Sequence, residues 1–279
     1  MRAPMVERAQ TPAPVVVGMV LLDRFRLDAT LGSGGMAEVF RATDLHTGRG
    51  VAVKVLRGSL ESSPEAIQRF RREGEVLVRL KNPAIVAADS VGALADGRLY
   101  IVMELLEGET LGARLKRGPI GPAELAPIVA GCAAALAAAH AAGVVHRDLK
   151  PDNVFLSRRS DGSLQLKLLD FGVSKVFNGE KLTQTGQVLG TPRYMSPEQL
   201  GAEPEVDHRV DVYSLGVILY EALSGRSPFL ASTPTDLIVA ILHGKTVPLR
   251  SVRPDVSPAW MASRMSHQPV MLNFMPSSA

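Results

Sequence analysis

The residues best suited to chemistry lie in one run, His146-Arg147-Asp148-Leu149-Lys150-Pro151-Asp152-Asn153. An Ala-rich helical pattern precedes it and the apolar Val154-Phe155-Leu156 follows, so a polar loop is expected between two buried elements, a usual setting for catalysis. Within it a carboxylate, an ammonium and an amide (Asp148, Lys150 and Asn153) fall close enough in sequence to converge on one small volume. That set suits phosphoryl transfer: the carboxylate orients a hydroxyl and accepts its proton, the amide oxygen binds a metal ion, and the cation offsets developing phosphate charge. Further along, Leu164 to Leu169 reads as a strand ending in Asp170-Phe171-Gly172. A carboxylate there is a natural ligand for a hard cation, and Asp170 with Asn153 would meet the modest protein demand of Mg²⁺.

Glycines interrupt the alternating segment Leu31-Gly32-Ser33-Gly34-Gly35-Met36-Ala37-Glu38-Val39-Phe40, and such a hairpin brings backbone N–H groups close to phosphate oxygens. The strand pattern Val51-Ala52-Val53-Lys54 then carries one lysine in an apolar run, and buried lysines are rare unless paired. Ile67, Phe70, Val76, Leu77 and Leu80 mark a helical face over Pro64–Leu80, whose Glu65, Glu73 and Glu75 are all candidate partners for Lys54.

Taken together these runs resemble protein kinases: H-R-D-x-K-x-x-N is similar to the catalytic loop, with Lys150 in the serine/threonine-specific position. The glycine hairpin resembles G-x-G-x-x-G-x-V with Ala37 at the third glycine, V-A-V-K resembles V-A-I-K, and D-F-G matches as it stands. The resemblance implies an α+β, two-lobed kinase fold with a small, mainly β N-lobe holding one key helix and a mainly helical C-lobe. ATP and Mg²⁺ would be its cofactors, with Asn153 and Asp170 on the metal. Among the three glutamates, the resemblance to R-R-E-x-x-x-L selects Glu73. The nucleotide would be lined by Leu31, Gly32, Ser33, Gly34, Gly35, Met36, Ala37, Glu38, Val39, Ala52, Lys54 and Phe155. Met103 would be the gatekeeper, and adenine would bond the backbone near Glu104 and Leu106. Gly190 to Glu198 resembles the end of an activation segment, with Ser196 in the alanine position of A-P-E. Thr183 and Thr185 are the expected regulatory phosphorylation sites, their phosphate pairing with Arg147, and Thr191 is expected to position Asp148 and Lys150. Asp211, in an almost wholly apolar helix pattern, resembles the residue that braces the catalytic loop.

The chain has 279 residues, 46% hydrophobic and 21% charged, enough for one large domain or two lobes. A net charge of +3, from 31 basic and 28 acidic residues, gives no argument for nucleic acid. The apolar run Val15 to Leu22 is far short of the roughly 20 residues that span a bilayer, so no membrane segment is expected. The single cysteine, Cys132, reads as a core thiol in a reducing, cytoplasmic setting. Residues 1–24 are expected to form a disordered leader, 25–106 the N-lobe, 107–259 an incomplete C-lobe and 260–279 an atypical tail. Past Ala259 the motifs stop, which suggests first a truncated or frame-shifted end and second a diverged tail, and leaves Glu198 without its usual arginine unless Arg264 replaces it.

The expected function is a bacterial protein serine/threonine kinase acting on protein substrates, with self-association for phosphorylation in trans. A weakly active nucleotide-binding scaffold is the alternative. A small-molecule phosphotransferase is disfavoured by the Gly190–Glu198 platform.

Overall fold

The computed structural model describes residues 14–60, 63–158, 162, 164–171, 192–201 and 206–256. Gly172, Thr183, Thr185, Gly190, Thr191 and Arg264 lie outside them, as does the expected tail. The chain divides into two compact units, one running to Val78 and resuming over Ala87–Leu106, the other made of Arg79–Val86 and everything from Glu107. The short segment Arg79–Val86, expected in the N-lobe, therefore belongs to the second unit.

In the first unit, β1 (Val20–Leu21), β2 (Phe25–Ser33), β3 (Ala37–Asp44), β4 (Gly50–Leu56), β5 (Ala88–Ala93) and β6 (Leu99–Glu104) form one antiparallel sheet in the order β1-β2-β3-β4-β6-β5. Leu27, Phe40, Val51, Val53, Val55 and Val102 from this sheet gather in one apolar cluster. Val15 and Leu21 belong to the same cluster, which corrects the expectation of a leader through residue 24. Their apolar side chains are buried on the sheet, and reciprocal backbone bonds, Gly18 N to Leu27 O and Leu27 N to Met19 O, both 2.8 Å, hold the segment there. The far end of β3 is tied back to the β1–β2 turn, where the Arg24 guanidinium donates two hydrogen bonds, 2.9 and 2.8 Å, to the buried Asp44 carboxylate. That pairing holds the Asp44 carboxyl below the usual carboxylate range.

Cross-strand partners share a sheet face, and Lys54 lies opposite Val39 and Ile101 while Ala52 lies opposite Met103. Lys54, Ala52, Val39 and Met103 thus point to one side. Helix α1 (Pro64–Arg79) covers part of it through Ala66, Phe70, Gly74 and Leu77, a spacing of one turn per step.

The second unit holds a small antiparallel sheet, β7 (Gly108–Thr110), β8 (Val154–Arg158) and β9 (Leu164–Leu168), in that order. Its helices are α2 (Leu111–Leu115), α3 (Pro122–Ala141), α4 (Pro197–Leu200), α5 (Arg209–Ser224), α6 (Pro234–Leu242) and α7 (Leu249–Val252), numbered among the described residues. By length and composition α3 could cross a bilayer, which reading only Val15 to Leu22 overlooked. It packs against α5 and β9 with Leu125, Ile128, Cys132, Ala135 and Ala139 buried, so its apolar surface serves the core. Burial pushes the Cys132 thiol up to about 12, an inert state. Arg79–Val86 joins this unit through Val86 N to Leu168 O at 2.9 Å and Leu168 N to Ala84 O at 2.8 Å.

The turn between β1 and β2 stores strain: Leu22 (φ 55°) and Asp23 (φ 53°) are left-handed without being glycine, while Arg24 N closes on Leu21 O at 3.0 Å. Replacing the pair with Asn-Gly, the sequence such turns favour, should stabilise the unit by about 1 kcal/mol, read as a higher urea midpoint at unchanged m-value.

Candidate active site

Each unit carries one set of candidate residues. In the first, Lys54 Nζ stands 2.6 Å from Glu73 Oε1, both side chains largely buried at 11% and 14% exposure. The pairing picks Glu73 out of the three glutamates. Gly74 explains how the helix comes close enough. A Cβ there would lie 2.7 Å from Val91 Cγ2 and 3.1 Å from Ile101 Cγ1, so the absent side chain lets α1 press onto β5 and β6 beside Glu73. In the glycine hairpin, Gly32 pairs with Val39 and Ser33 with Glu38, and Gly34 N closes the tip on Ala37 O at 2.9 Å. Ala37 is buried and fits without disturbing the hairpin. Leu31 is exposed and Met36 half-buried, whereas Met103 is buried on β6. Glu104 folds back on its neighbour strand, its N–H donating to Ala87 O at 3.0 Å and its carboxylate accepting from Ala87 N at 2.7 Å. Leu106 ends the unit.

In the second unit the predicted convergence is present. Lys150 Nζ donates to Asp148 Oδ2 at 3.0 Å, and Asn153 Nδ2 donates to Asp148 O at 2.8 Å and to Asp148 Oδ2 at 3.4 Å. With its amide N–H groups spent this way, the Asn153 Oδ1 has no protein partner among the described residues. An amide oxygen beside the Asp148 carboxylate suits a hard cation such as Mg²⁺. Leu169 N donates to Asn153 O at 2.9 Å, which fixes the stretch leading to Asp170. Phe155 follows on β8, half-buried and paired with Lys167.

Asp211, fully buried in the first turn of α5, holds the loop. Its Oδ2 accepts from His146 N and its Oδ1 from Arg147 N, both at 2.8 Å, while His140 Nε2 of α3 lies 2.7 Å from Oδ2. Arg147 needs this support, because its backbone is left-handed at φ 61°, as is that of Asp170 at φ 46°. Such strain persists where the surroundings over-determine it. From the other side Gln199 Nε2 donates to Arg147 O at 2.9 Å. Ser196 and Gln199 form a capping box at the start of α4, so the Ser-Pro-Glu-Gln run both opens a helix and reaches the catalytic loop. Glu198 is half-buried. Sequence reasoning found Asp211 but not His140 or Gln199. The capping box was a legible signal for Gln199, whereas nothing local announces His140.

His146 is buried against Phe171, ring centroids 4.6 Å apart. Its Nδ1 accepts from Asp148 N at 3.3 Å and its Nε2 donates to Leu169 O at 2.9 Å, contacts that select the neutral tautomer protonated at Nε2. Burial lowers its pKa accordingly.

These features define a protein kinase, and the chain belongs to the protein kinase domain family, whose profile matches residues 25–268 and so extends past Ala259. It is 41% identical over 243 residues to serine/threonine-protein kinase pkn2 of Myxococcus xanthus, covering 86% of this chain and 29% of that protein. It is likewise 41% identical over 248 residues to serine/threonine-protein kinase PknA of Mycobacterium tuberculosis, covering 87% of this chain and 56% of that protein. The chain thus spans from under a third to just over half of these relatives. Among solved structures it resembles the Mycobacterium tuberculosis PknI kinase domain, with a TM-score of 0.67 and 25% identity, covering 95% of each chain. ATP and Mg²⁺ are the cofactors of the family.

In an exposed helix a Gly-to-Ala change gains about 1 kcal/mol, but Gly74→Ala should instead destabilise by about 1–2 kcal/mol through overpacking and weaken nucleotide binding. Adding Val91→Ala should restore both, as read by urea denaturation and nucleotide titration. The lowered His146 pKa sets a sign for pH. As pH falls through the ordinary imidazole value near 6.5, the unfolded chain takes a proton that the folded one refuses, so stability declines. The unfolding free energy should drop from pH 7 towards pH 5 by at most about 1.4 kcal/mol per pH unit from this group, and His146→Asn should flatten that part of the profile.

Proposed function

We propose that this chain transfers the γ-phosphoryl group of ATP to serine and threonine hydroxyls of proteins. The observation that carries the reading is the Asp148, Lys150 and Asn153 cluster held by buried Asp211. In the proposed roles, Asp148 orients the acceptor hydroxyl and takes its proton as oxygen attacks phosphorus and ADP leaves. Lys150 offsets charge on the transferring group, while Asn153 and Asp170 hold Mg²⁺. Lys54, braced by Glu73, holds the α- and β-phosphates beneath the Leu31–Val39 hairpin, and adenine bonds the backbone near Glu104 and Leu106 beyond the gatekeeper Met103. Ala52 and Phe155 line the nucleotide. Mg²⁺, when bound, neutralises phosphate charge.

Thr183 and Thr185 are proposed as autophosphorylation sites, reached through self-association in trans, and Thr191 as a positioning residue for Asp148 and Lys150. The Arg147 guanidinium supports the phosphate reading, because its buried Nε has no partner among the described residues, and phosphate oxygens satisfy such donors. A reducing, cytoplasmic setting agrees with the lone buried thiol of Cys132.

Intact mass before and after Mg-ATP, run beside Asp148→Asn, tests the assignment. The parent should gain phosphate mass mapping to Thr183 or Thr185, and the variant should lose on the order of 10²–10⁴ in rate while still binding nucleotide. Full activity in Asp148→Asn would remove Asp148 as the base, and a folded parent that gains no mass would leave a nucleotide-binding scaffold.

A further inference from the structure

Arg57 has no part in the roles above, yet it grips the glycine hairpin from the strand that carries Lys54. It follows β4 directly, and its backbone N–H donates to Met36 O at 3.0 Å. Its Nη2 donates to Ser33 Oγ and lies 3.4 Å from Glu38 Oε1. Ser33 and Glu38 are the last register pair before the tip, so one guanidinium holds both sides of the hairpin where it opens. On β4, Leu56 pairs with Ala37 and Lys54 with Val39, which places the clamp one short strand segment from the Lys54 ammonium.

We infer that Arg57 is a positioning residue that fixes the phosphate-binding hairpin relative to Lys54 and so sets affinity for the nucleotide phosphates. The inference rests on the kinase reading, and deepens it by extending the nucleotide site to a residue outside the glycine run. Glycine supplies the backbone freedom that lets N–H groups approach a phosphate, and the same freedom carries an entropic penalty when the loop must be ordered. A clamp on the last pair before the tip lowers that penalty before the nucleotide arrives, which is preorganisation. At 37% and 35% exposure the Arg57 and Glu38 side chains form a solvent-screened pair that contributes little to global stability. The effect therefore belongs to the loop rather than to the fold.

The test uses Arg57→Met, Arg57→Lys and Ser33→Ala in the full chain, with amide hydrogen exchange, thermal melting and the ATP dependence of phosphorylation. Arg57→Met should raise the KM for ATP by about tenfold, the loss expected for one charge-assisted hydrogen bond, with kcat changed less than about twofold. Amide exchange at Gly34 and Arg57, whose N–H groups close the hairpin, should quicken while the melting temperature stays within about a degree. Ser33→Ala should show a smaller shift of the same kind, and Arg57→Lys should fall between, because lysine keeps the charge but loses the planar guanidinium that holds Nη2 between Ser33 and Glu38. Unchanged exchange and unchanged KM in Arg57→Met would overturn the inference, as would a fall in kcat alone. If the parent does not phosphorylate, the kinase reading fails instead, and titration with Mg-ADP alongside exchange still decides the role of Arg57. Were Arg57→Met to unfold, Arg57→Lys and Ser33→Ala carry the same comparison.

Discussion

A buried carboxylate governs the larger unit of this protein. Asp211 has no exposure to water, yet its oxygens meet two backbone N–H groups and an imidazole, so the anion is compensated where it sits. An ion buried without such donors would be expensive, and those donors without the ion would be orphaned in turn. The arrangement is mutual, and it transmits order: α5 fixes Asp211, Asp211 fixes the left-handed peptide at Arg147, and that peptide starts the loop on which Asp148, Lys150 and Asn153 stand. His140 joins α3 to the same carboxylate, so the two long helices of the unit meet at the point the loop leaves from. Gln199 closes the other face of Arg147 and brings the Ser196 capping box into the same network.

The smaller unit relies on steric economy instead. Lys54 and Glu73 are separated in sequence by a turn and most of a helix, and their contact needs α1 to lie unusually close to the sheet. Gly74 provides the room, directly beside the glutamate it serves. The apolar cluster that contains Val53 and Val55 also takes in Val15 and Leu21, so residues ahead of the first main strand stabilise the strand that presents the lysine.

Much of this was legible because kinase motifs are runs of fixed spacing, and a run can be read without knowing what it touches. The catalytic loop, the glycine hairpin, Val51–Lys54 and Asp170-Phe171 all sit on the elements their patterns indicate. The α1 face was legible from periodicity, although Gly74 carried no signal within it, since a glycine in a helix reads as a weakness unless its neighbour in space is known. Val15 and Leu21 were assigned to the leader because the run they sit in, Val15 to Leu22, follows Pro12 and Pro14 and shows no strand alternation of its own. The short strand β5, Ala88–Ala93, escaped notice for a related reason, because Ala, Asp, Ser and Gly are poor strand formers and only pairing with β6 makes a strand of them. His140 and Arg57 act across long sequence separations that no local pattern encodes, and the capping box that marks Gln199 does not disclose its bond to Arg147.

The placement of Arg79–Val86 with the larger unit bears on modularity. The chain passes between the units after Val78, after Val86 and after Leu106, rather than once through a single linker. A fragment beginning at Glu107 would surrender Ala84 and Val86 as partners for Leu168 and bare the edge of β9 just ahead of Asp170. Recombination at one junction therefore cannot exchange the smaller unit as a cassette. Chimeras of this protein would have to carry the 79–86 segment with the larger unit or inherit a frayed strand just ahead of Asp170, so the units are not separable at one junction despite their separate cores.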